Sequence, residues 1–376
     1  MNYKFTGAKV FGTDYKFSDR DIYVSNRFFS DSLNEYEELK LDGLYLIPGL
    51  TDIHFHGCMG HDFCEGKTET IAIMAKYEES QGITSICPAT MTYSEEILKE
   101  IMKAAAEYQT DEGAELVGIN MEGPFISYEK KGAQNPAYIQ KPDIEMFRRL
   151  QKEASGLIKL IALAPEVEGA DDFISELKNE VVISLAHTNA DYDRAIQVFN
   201  EGINHVTHLY NAMRPLNHRD PNPYFAAADC DNVEVEIIAD GIHVHPAVVR
   251  NTLRTLGDDR VIFISDTMEA VGMKDGKYQL GGQAVNKKGN LATLEDGTIA
   301  GSATNLMDCM KTAVKKMNIP LETAVKCAAV NPARSIGIYD RYGSLEKGKI
   351  ANAVALDEDL NIKMVINRGK IVINNI

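Results

Sequence analysis

The sequence lacks the features that mark membrane-spanning and secreted proteins. No stretch reaches the roughly 18 consecutive apolar residues that a membrane-spanning helix needs. Residues 1–12 do not contain the apolar core of a signal peptide. The 6 cysteines show no spacing typical of a disulfide framework. We therefore expect a cytoplasmic protein, kept in a reducing environment, that does not associate with membranes.

The sequence is also short of positive charge. It contains 39 lysines and arginines against 55 aspartates and glutamates, which gives a formal net charge of −16. A nucleic-acid-binding surface would need a basic stripe, so we expect no nucleic-acid partner. An anionic small substrate is compatible with this charge, because a single pocket can be positive on an acidic protein.

Strand-like and helix-like segments alternate through the middle of the chain. Eight short apolar runs lie between amphipathic helical segments, at 46–56, 82–90, 114–123, 157–166, 181–188, 205–213, 235–244 and 261–268. Continuous apolar runs are typical of strands buried on both faces of a parallel sheet. Eight such units predict an α/β fold closed into a (β/α)8 barrel of the TIM type, and an open doubly wound sheet is the alternative.

The two ends of the chain lack helical periodicity. Residues 1–49 and 343–376 contain alternating polar and apolar residues with Gly-Lys turns, which predict short antiparallel strands. Because chain ends often lie close together, we expect both ends to form one small β-sandwich domain. The barrel domain would then span residues 50–342, a length that fits a barrel of about 250 residues.

Potential metal ligands follow several of the predicted strands. Active sites of (β/α)8 barrels lie where the strands end, and side chains two residues apart share one face of a strand. Histidine or carboxylate residues occupy six of these strand ends, namely His54 with His56, Glu122, His187, His208, His243 and Asp266. Each residue alone has a structural explanation, and His205 is expected to be structural. Together they predict a metal site with an acid–base residue.

The motifs around these residues resemble those of the amidohydrolase superfamily and, within it, the N-acetylglucosamine-6-phosphate deacetylases. The resemblance covers nearly the whole chain and includes PGLTDIHFHG, MEGPFIS, KKGAQNP, LAHTNA, THLYNAMRPL, DGIHV and SDTMEAVGM. It implies metal-dependent hydrolysis of the acetamide of N-acetylglucosamine 6-phosphate to glucosamine 6-phosphate and acetate.

The resemblance also implies a role for each matching residue. Glu122, His187 and His208 resemble the main metal ligands, and His54 and His56 resemble a second metal site that Glu122 bridges. Asp266 resembles the catalytic acid–base residue. The implied substrate-binding positions are Gln134, Asn211, the backbone of Ala212, Arg219 and His243. In the family the counterpart of Arg219 contacts phosphate, in several members across a dimer interface, so the resemblance implies a homodimer.

The sequence departs from the family pattern at two positions. Gln134 stands where the family often has histidine, and Thr267 stands where a small alanine is frequent. Glutamine donates and accepts hydrogen bonds but carries no positive charge, so phosphate binding would rely more on Arg219. Both changes bear on sugar specificity rather than on the reaction.

Several alternatives stay open at this point. The substrate could be N-acetylgalactosamine 6-phosphate, or another acylated amine or cyclic amide hydrolysed by a different amidohydrolase, and a non-catalytic barrel is a remote alternative. The expected cofactor is one or two divalent ions per chain, zinc or iron, with manganese and cobalt also suited to histidine and glutamate ligands. Residues 126–141 are a candidate substrate-covering loop.

Overall fold

The computed structural model describes residues 2–376, and its first seven strands are short. They are β1 (Asn2–Thr6), β2 (Lys9–Phe11), β3 (Phe17–Asp19), β4 (Ile22–Ser25), β5 (Phe28–Ser30), β6 (Glu37–Lys40) and β7 (Tyr45–Pro48). Burial alternates along β1 and β4, so each strand buries one face, as expected for the strands of a sandwich.

The next part of the chain builds the barrel wall. Its strands are β8 (Leu50–Asp52), the hairpin β9 (Gly57–Cys58) and β10 (His61–Asp62), β11 (Ile83–Ile86), β12 (Glu115–Leu116), β13 (Ile119–Met121), β14 (Ile158–Leu163), β15 (Val182–Leu185), β16 (His205–Val206), β17 (Glu234–Ile238) and β18 (Val261–Ile264). Apart from the hairpin, these strands pair in parallel, in the orders β12-β11-β8 and β13 to β18.

Two connections close this wall into a barrel. A parallel bridge between Ala89 and Asn120 joins the two groups of strands on one side. On the other side the backbone amide of Asp266 donates to the His54 carbonyl oxygen at 2.9 Å. The sequence prediction of a (β/α)8 barrel is therefore confirmed.

Helices cover the outside of the barrel and follow its strands. They are α1 (Thr68–Ser80), α2 (Glu95–Glu107), α3 (Ile144–Glu153), α4 (Ala170–Leu177), α5 (Tyr192–Glu201), α6 (Pro223–Asp229), α7 (Pro246–Leu256), α8 (Leu306–Met317), α9 (Leu321–Val325) and α10 (Asn331–Ser335). A π-helical turn at Lys326–Val330 joins the last two, and single 3-10 turns lie at Phe63–Glu65, Tyr128–Lys130 and Pro136–Tyr138. Asp143, Asp191 and Asn305 each cap a helix by accepting a backbone N–H group.

A small sheet that the sequence did not predict follows the last barrel strand. Its antiparallel strands are β19 (Gly276–Leu280), β20 (Gln283–Lys288) and β21 (Leu291–Thr293). Leu280, Val285 and Ala292 bury their side chains against Met268 and Met91, so this sheet packs beside the mouth of the barrel.

The C-terminal strands return to the N-terminal ones. They are β22 (Ala353–Leu356), β23 (Ile362–Asn367) and β24 (Lys370–Asn374), and they extend a six-stranded sheet ordered β24-β23-β22-β7-β2-β3. A second sheet is ordered β5-β4-β1-β6. Phe5, Val24, Leu46, Ala353 and Met364 belong to one core formed by residues from both sheets, which confirms the predicted β-sandwich. The domain limits 1–49 with 343–376 and 50–342 stay a prediction.

Four predicted strands differ from those observed. The run at 114–123 divides into β12 and β13, which belong to different sheets, and the run at 235–244 forms a strand only as far as Ile238, so His243 lies in a bend beyond the end of β17. The run at 46–56 divides into β7, which joins the sandwich, and β8, which ends at Asp52 because that carboxylate accepts the His54 backbone N–H at 3.2 Å. The run at 205–213 forms a strand only at His205–Val206, since His208 and Tyr210 have positive φ angles that no strand accommodates. Within residues 2–376, no helix has the length and apolar character needed to cross a membrane.

Candidate metal-dependent active site

The predicted site residues converge at the C-terminal end of the barrel. Glu122 follows β13 directly, and His187, His208 and Asp266 each lie two residues beyond their strands. A cavity with a volume of about 250 Å³ opens at this end. The predicted residues that line it are His56, Glu122, Gln134, His187, His208, Asn211, Ala212, His243 and Asp266.

Glu122 lies at the centre of this cluster. One carboxylate oxygen, Oε1, is 3.0 Å from His208 Nε2, 3.1 Å from His187 Nε2 and 3.4 Å from His54 Nε2. The other oxygen, Oε2, is 3.4 Å from His56 Nε2. All five side chains are buried. One carboxylate thus faces the four histidines that the sequence predicted to be ligands.

The second nitrogen of two histidines is already bonded elsewhere. His187 Nδ1 lies 2.9 Å from the carbonyl oxygen of Lys130, and His54 Nδ1 lies 2.9 Å from the carboxylate of Glu236. Both partners only accept hydrogen bonds, so we place the proton on Nδ1. The Nε2 atom of each ring then directs its lone pair toward Glu122.

In these contacts, nitrogen lone pairs face oxygen lone pairs unless a proton or a metal ion lies between them. Buried oxygen and nitrogen lone pairs at about 3 Å are unfavourable without a proton or a metal ion between them. His54 Nε2, which faces Glu122, is buried without a hydrogen-bond partner among the described residues. Two groups of buried side chains bring their ligand atoms within 4.8 Å of one another, namely His54 with His56 and Asp266, and His54 with Glu122 and His208. The donor set therefore fits one or two divalent ions.

The pKa shifts at the cluster have the same origin. If protons rather than a metal ion lie between these atoms, His54 is charged and His187 and His208 donate from Nε2. Burial alone would then raise the pKa of Glu122, but the charge of His54 and the hydrogen bonds from His187 and His208 hold it well below its usual range. Burial alone would lower the pKa of His54, but the carboxylates of Glu236 and Glu122 hold it well above. The carboxylates thus require positive charge on the facing side, whether protons or a divalent ion supply it.

Several site residues have a backbone conformation that L-amino acids seldom adopt. The φ angle is +43° at His187, +28° at His208, +50° at Ala212 and +52° at Asp266. Such conformations cost about 1–3 kcal/mol each and persist where the surroundings enforce them. Their concentration at the ends of the strands is typical of a functional site rather than of a packing core.

Asp266 and His243 are the predicted residues suited to proton transfer and hydrogen bonding. Asp266 Oδ1 lies 3.2 Å from His56 Nε2 and 3.7 Å from His54 Nε2. Burial would raise the pKa of Asp266, but the hydrogen bond from His56 and the charge of His54 lower it, so the group is a carboxylate at neutral pH. His243 Nδ1 pairs with Asp240 Oδ2 at 2.7 Å, which leaves Nε2 free to act in the cavity.

Gln134 contacts the ligand cluster itself. Its Nε2 donates to Glu122 Oε2 at 2.6 Å, and its Oε1 accepts the Thr92 backbone N–H at 2.7 Å. The second bond fixes the amide orientation, so the NH2 group points at the carboxylate. Gln134 thus lies beside the candidate metal ligands, and a role in binding the substrate stays a prediction.

The remaining substrate-binding candidates separate into two groups. Asn211 and Ala212 line the cavity. Arg219 is exposed on a loop and does not line the cavity of its own chain, so the structure does not bring it together with the other site residues.

Sequence reasoning missed three buried carboxylates that support the site. Glu236 bonds His54, Asp240 bonds His243, and Asp52 accepts hydrogen bonds from Ser265. A signal for Glu236 was available, because a glutamate inside an apolar strand must have a buried partner. His205, expected to be structural, is buried with its Nδ1 2.8 Å from Ser184 Oγ.

A ligand cluster of this kind at the mouth of a (β/α)8 barrel defines a metal-dependent amidohydrolase. The sequence model of the Amidohydrolase family matches residues 45–372. The chain is 38% identical to N-acetylglucosamine-6-phosphate deacetylase of Bacillus subtilis (strain 168), over 87% of this chain and 84% of the relative. It is 31% identical to N-acetylgalactosamine-6-phosphate deacetylase of Escherichia coli O157:H7, over 88% of each.

A solved structure extends the similarity to three dimensions. A mutant of N-acetyl-D-glucosamine-6-phosphate deacetylase from Mycobacterium smegmatis, in complex with N-acetyl-D-glucosamine-6-phosphate, superposes with a TM-score of 0.89 at 29% identity. The alignment covers 100% of this chain and 99% of that one. The chain belongs to the amidohydrolase family and, within it, groups with the amino-sugar phosphate deacetylases.

Proposed function

We propose that the protein hydrolyses the acetamide of N-acetylglucosamine 6-phosphate to glucosamine 6-phosphate and acetate. The observation that carries this proposal is the Glu122-centred histidine cluster, which faces the same cavity as Asp266 in a chain related to deacetylases of this substrate. An intact ligand set and an intact acid–base residue together argue against a non-catalytic relative.

The proposed cofactor is one or two divalent ions per chain. Glu122, His187 and His208 would hold one ion, and His54 and His56 would hold a second with Glu122 between them. Zinc or iron suits this mixture of imidazole and carboxylate best, and manganese or cobalt is compatible with it. When bound, a divalent ion would lower the pKa of water toward neutrality and polarise a carbonyl group.

Asp266 supplies the proton transfers. As a buried carboxylate it accepts the proton of the attacking water while the new carbon–oxygen bond forms at the acetyl carbon. It then returns that proton to the sugar nitrogen as the carbon–nitrogen bond breaks, so a free amine leaves. Burial would lower the pKa of His243, but the hydrogen bond to Asp240 raises it, which favours the form with a proton on both ring nitrogens. In that form Nε2 donates a hydrogen bond to the acetamide oxygen, where negative charge develops.

The phosphate would hold the substrate in register with these groups. We also assign substrate binding to Asn211 and the backbone of Ala212, which line the cavity. We further propose that Arg219 contacts the phosphate in the cavity of a second copy, in a homodimer, because it does not line the cavity of its own chain. The planar guanidinium binds two phosphate oxygens at once.

The test is release of free amine from N-acetylglucosamine 6-phosphate by protein of known metal content. Unphosphorylated N-acetylglucosamine is the control for the phosphate contact. Turnover confined to the phosphorylated sugar, abolished by a chelator and restored by a divalent ion, supports the proposal. Absence of turnover at full metal occupancy refutes it.

N-acetylgalactosamine 6-phosphate is the second candidate substrate. The relative from Escherichia coli O157:H7, which is named for this sugar, is 31% identical to the chain. The two sugars differ only at C4, so parallel measurements of kcat/KM decide between them. A preference for the galacto sugar would replace the first proposal while leaving the reaction unchanged.

A further inference from the structure

Glu236 is a fully buried carboxylate that contacts residues of both proposed metal subsites. It lies in β17 with no exposed surface. Its Oε2 atom is 2.9 Å from Nδ1 of His54 and 3.1 Å from the backbone nitrogen of His208. We call Glu122, His187 and His208 the first subsite, and His54 and His56 the second.

The contact with His54 fixes both the rotation of the ring and its tautomer. A carboxylate accepts the Nδ1 proton, so the lone pair is left on Nε2, the atom that faces Glu122 at 3.4 Å. If Glu236 were absent, Nδ1 would be buried without a partner, and the ring could carry its proton on Nε2 instead. That tautomer cannot ligate a metal ion from the cluster side.

The contact with His208 supports a strained backbone. Its φ angle of +28° lies outside the regions that L-amino acids populate, and the Glu236 carboxylate accepts its backbone N–H. One oxygen therefore stabilises a ligand side chain of the second subsite and the backbone of a ligand in the first.

The surroundings of the other carboxylate oxygen, Oε1, show why glutamine could substitute for Glu236. Oε1 has no hydrogen-bond partner among residues 2–376 and lies 3.8 Å from His205 Nε2. A glutamine could place its carbonyl oxygen toward His54 and His208 and its NH2 group toward His205. It would keep the geometry and the tautomer and remove only the negative charge.

We propose that Glu236 is a positioning residue. By orienting His54 it determines how tightly the second subsite binds its ion, and by accepting the His208 backbone N–H it also supports a ligand of the first subsite. This inference rests on the metal centre of the proposed function but not on the identity of the sugar. Partners that orient metal-ligating histidines typically change metal affinity by about 10–100-fold when they are removed.

The experiment measures metal binding directly. Protein freed of metal by a chelator is titrated with Zn²⁺ in competition with a chromophoric chelator, and bound metal is counted by elemental analysis. The variants are Glu236→Gln and Glu236→Ala. The matched control is Glu78→Gln, because Glu78 is another buried carboxylate, in α1, whose oxygens contact no histidine through a hydrogen bond.

We expect wild type and Glu78→Gln to bind two ions with the same affinities. Glu236→Ala should weaken the second ion by about 10–100-fold, and Glu236→Gln should restore most of that loss, remaining within about tenfold of wild type. Rescue by the glutamine distinguishes positioning from a general loss of stability.

Three results would overturn the inference: wild-type affinities in both Glu236 variants, an equal loss in Glu78→Gln, or a wild type that binds fewer than two ions. If circular dichroism shows that Glu236→Ala does not fold, Glu236→Leu decides, because leucine fills the buried space without accepting the Nδ1 proton of His54, and unchanged affinity for the second ion in that variant refutes the role. Two bound ions without sugar hydrolysis would refute the proposed function and leave this result standing.

Discussion

Replacement of Asp266 by asparagine removes the proposed proton carrier with little change of shape. The side chain is buried beside His56 Nε2 at 3.2 Å, and an amide occupies almost the same volume as a carboxylate. The amide oxygen can still accept a hydrogen bond, but the group cannot take a proton from water at neutral pH. We therefore expect a folded protein with its first metal ion retained and its turnover severely reduced.

The expected loss follows from the contribution of general acid–base catalysis. A positioned acid or base contributes about 10²–10⁴ in rate. At about 1.36 kcal/mol per tenfold change, this corresponds to roughly 3–5 kcal/mol of transition-state stabilisation. The loss should appear in kcat, because the proposed role of Asp266 is on the reacting atoms and the proposed phosphate contacts involve other residues.

The assay is steady-state release of amine from N-acetylglucosamine 6-phosphate by wild type and Asp266→Asn, normalised to bound metal. Glu78→Gln serves again as a control for the loss of a buried carboxylate away from the cavity. A kcat within tenfold of wild type at equal metal content would show that Asp266 is not the acid–base residue.

Two predictions concern stability. Hydrogen bonds from Arg149 lower the pKa of Glu95 to about 2 from 4.5, so this pair stabilises the fold above pH 4.5 and is lost as the pH falls toward 2. In urea unfolding, Glu95→Gln should therefore cost about 0.5–1 kcal/mol at pH 7 and less at pH 3, and an equal cost at both pH values would contradict this account. Gly369→Ala should destabilise the fold by about 1–3 kcal/mol more than Gly348→Ala. Both glycines have a positive φ angle, but only at Gly369 would an added Cβ atom clash with the Asn26 carbonyl oxygen. Equal thermal unfolding of the two variants would refute this expectation.

Regular periodicity allowed parts of the fold to be read from the sequence. The helical segment expected between the apolar runs at 46–56 and 82–90 is α1, Thr68–Ser80, because its apolar positions repeat at helical spacing and bury one face. The run at 46–56 predicts one strand, yet in the structure it forms two strands that belong to different sheets. The sequence of a continuous apolar run does not show where one strand ends and the next begins, because both halves are equally buried.

The convergence of the candidate ligands was predictable from the sequence, and the identity of their hydrogen-bond partners was less so. His54, Glu122 and His187 stand at strand ends, and the barrel architecture alone brings such positions together. The contacts of Gln134 and Glu236 depend on which side chains the fold brings opposite them. Gln134 is 12 residues from Glu122 in the sequence, and Glu236 is 182 residues from His54. Local patterns do not contain that information.

Closure of the barrel has a consequence for the order of events during synthesis. The backbone of His54 and His56 is hydrogen-bonded to that of Asp266 and Thr267, at 2.9 and 2.7 Å. During synthesis, more than 200 residues are therefore added after His54 and His56 before the strand that completes the site is made. The bonded partners Asp52 and Ser265, for example, are 213 residues apart. A metal ion held jointly by these two parts of the chain would therefore bind only after the most distant segments of the barrel have met.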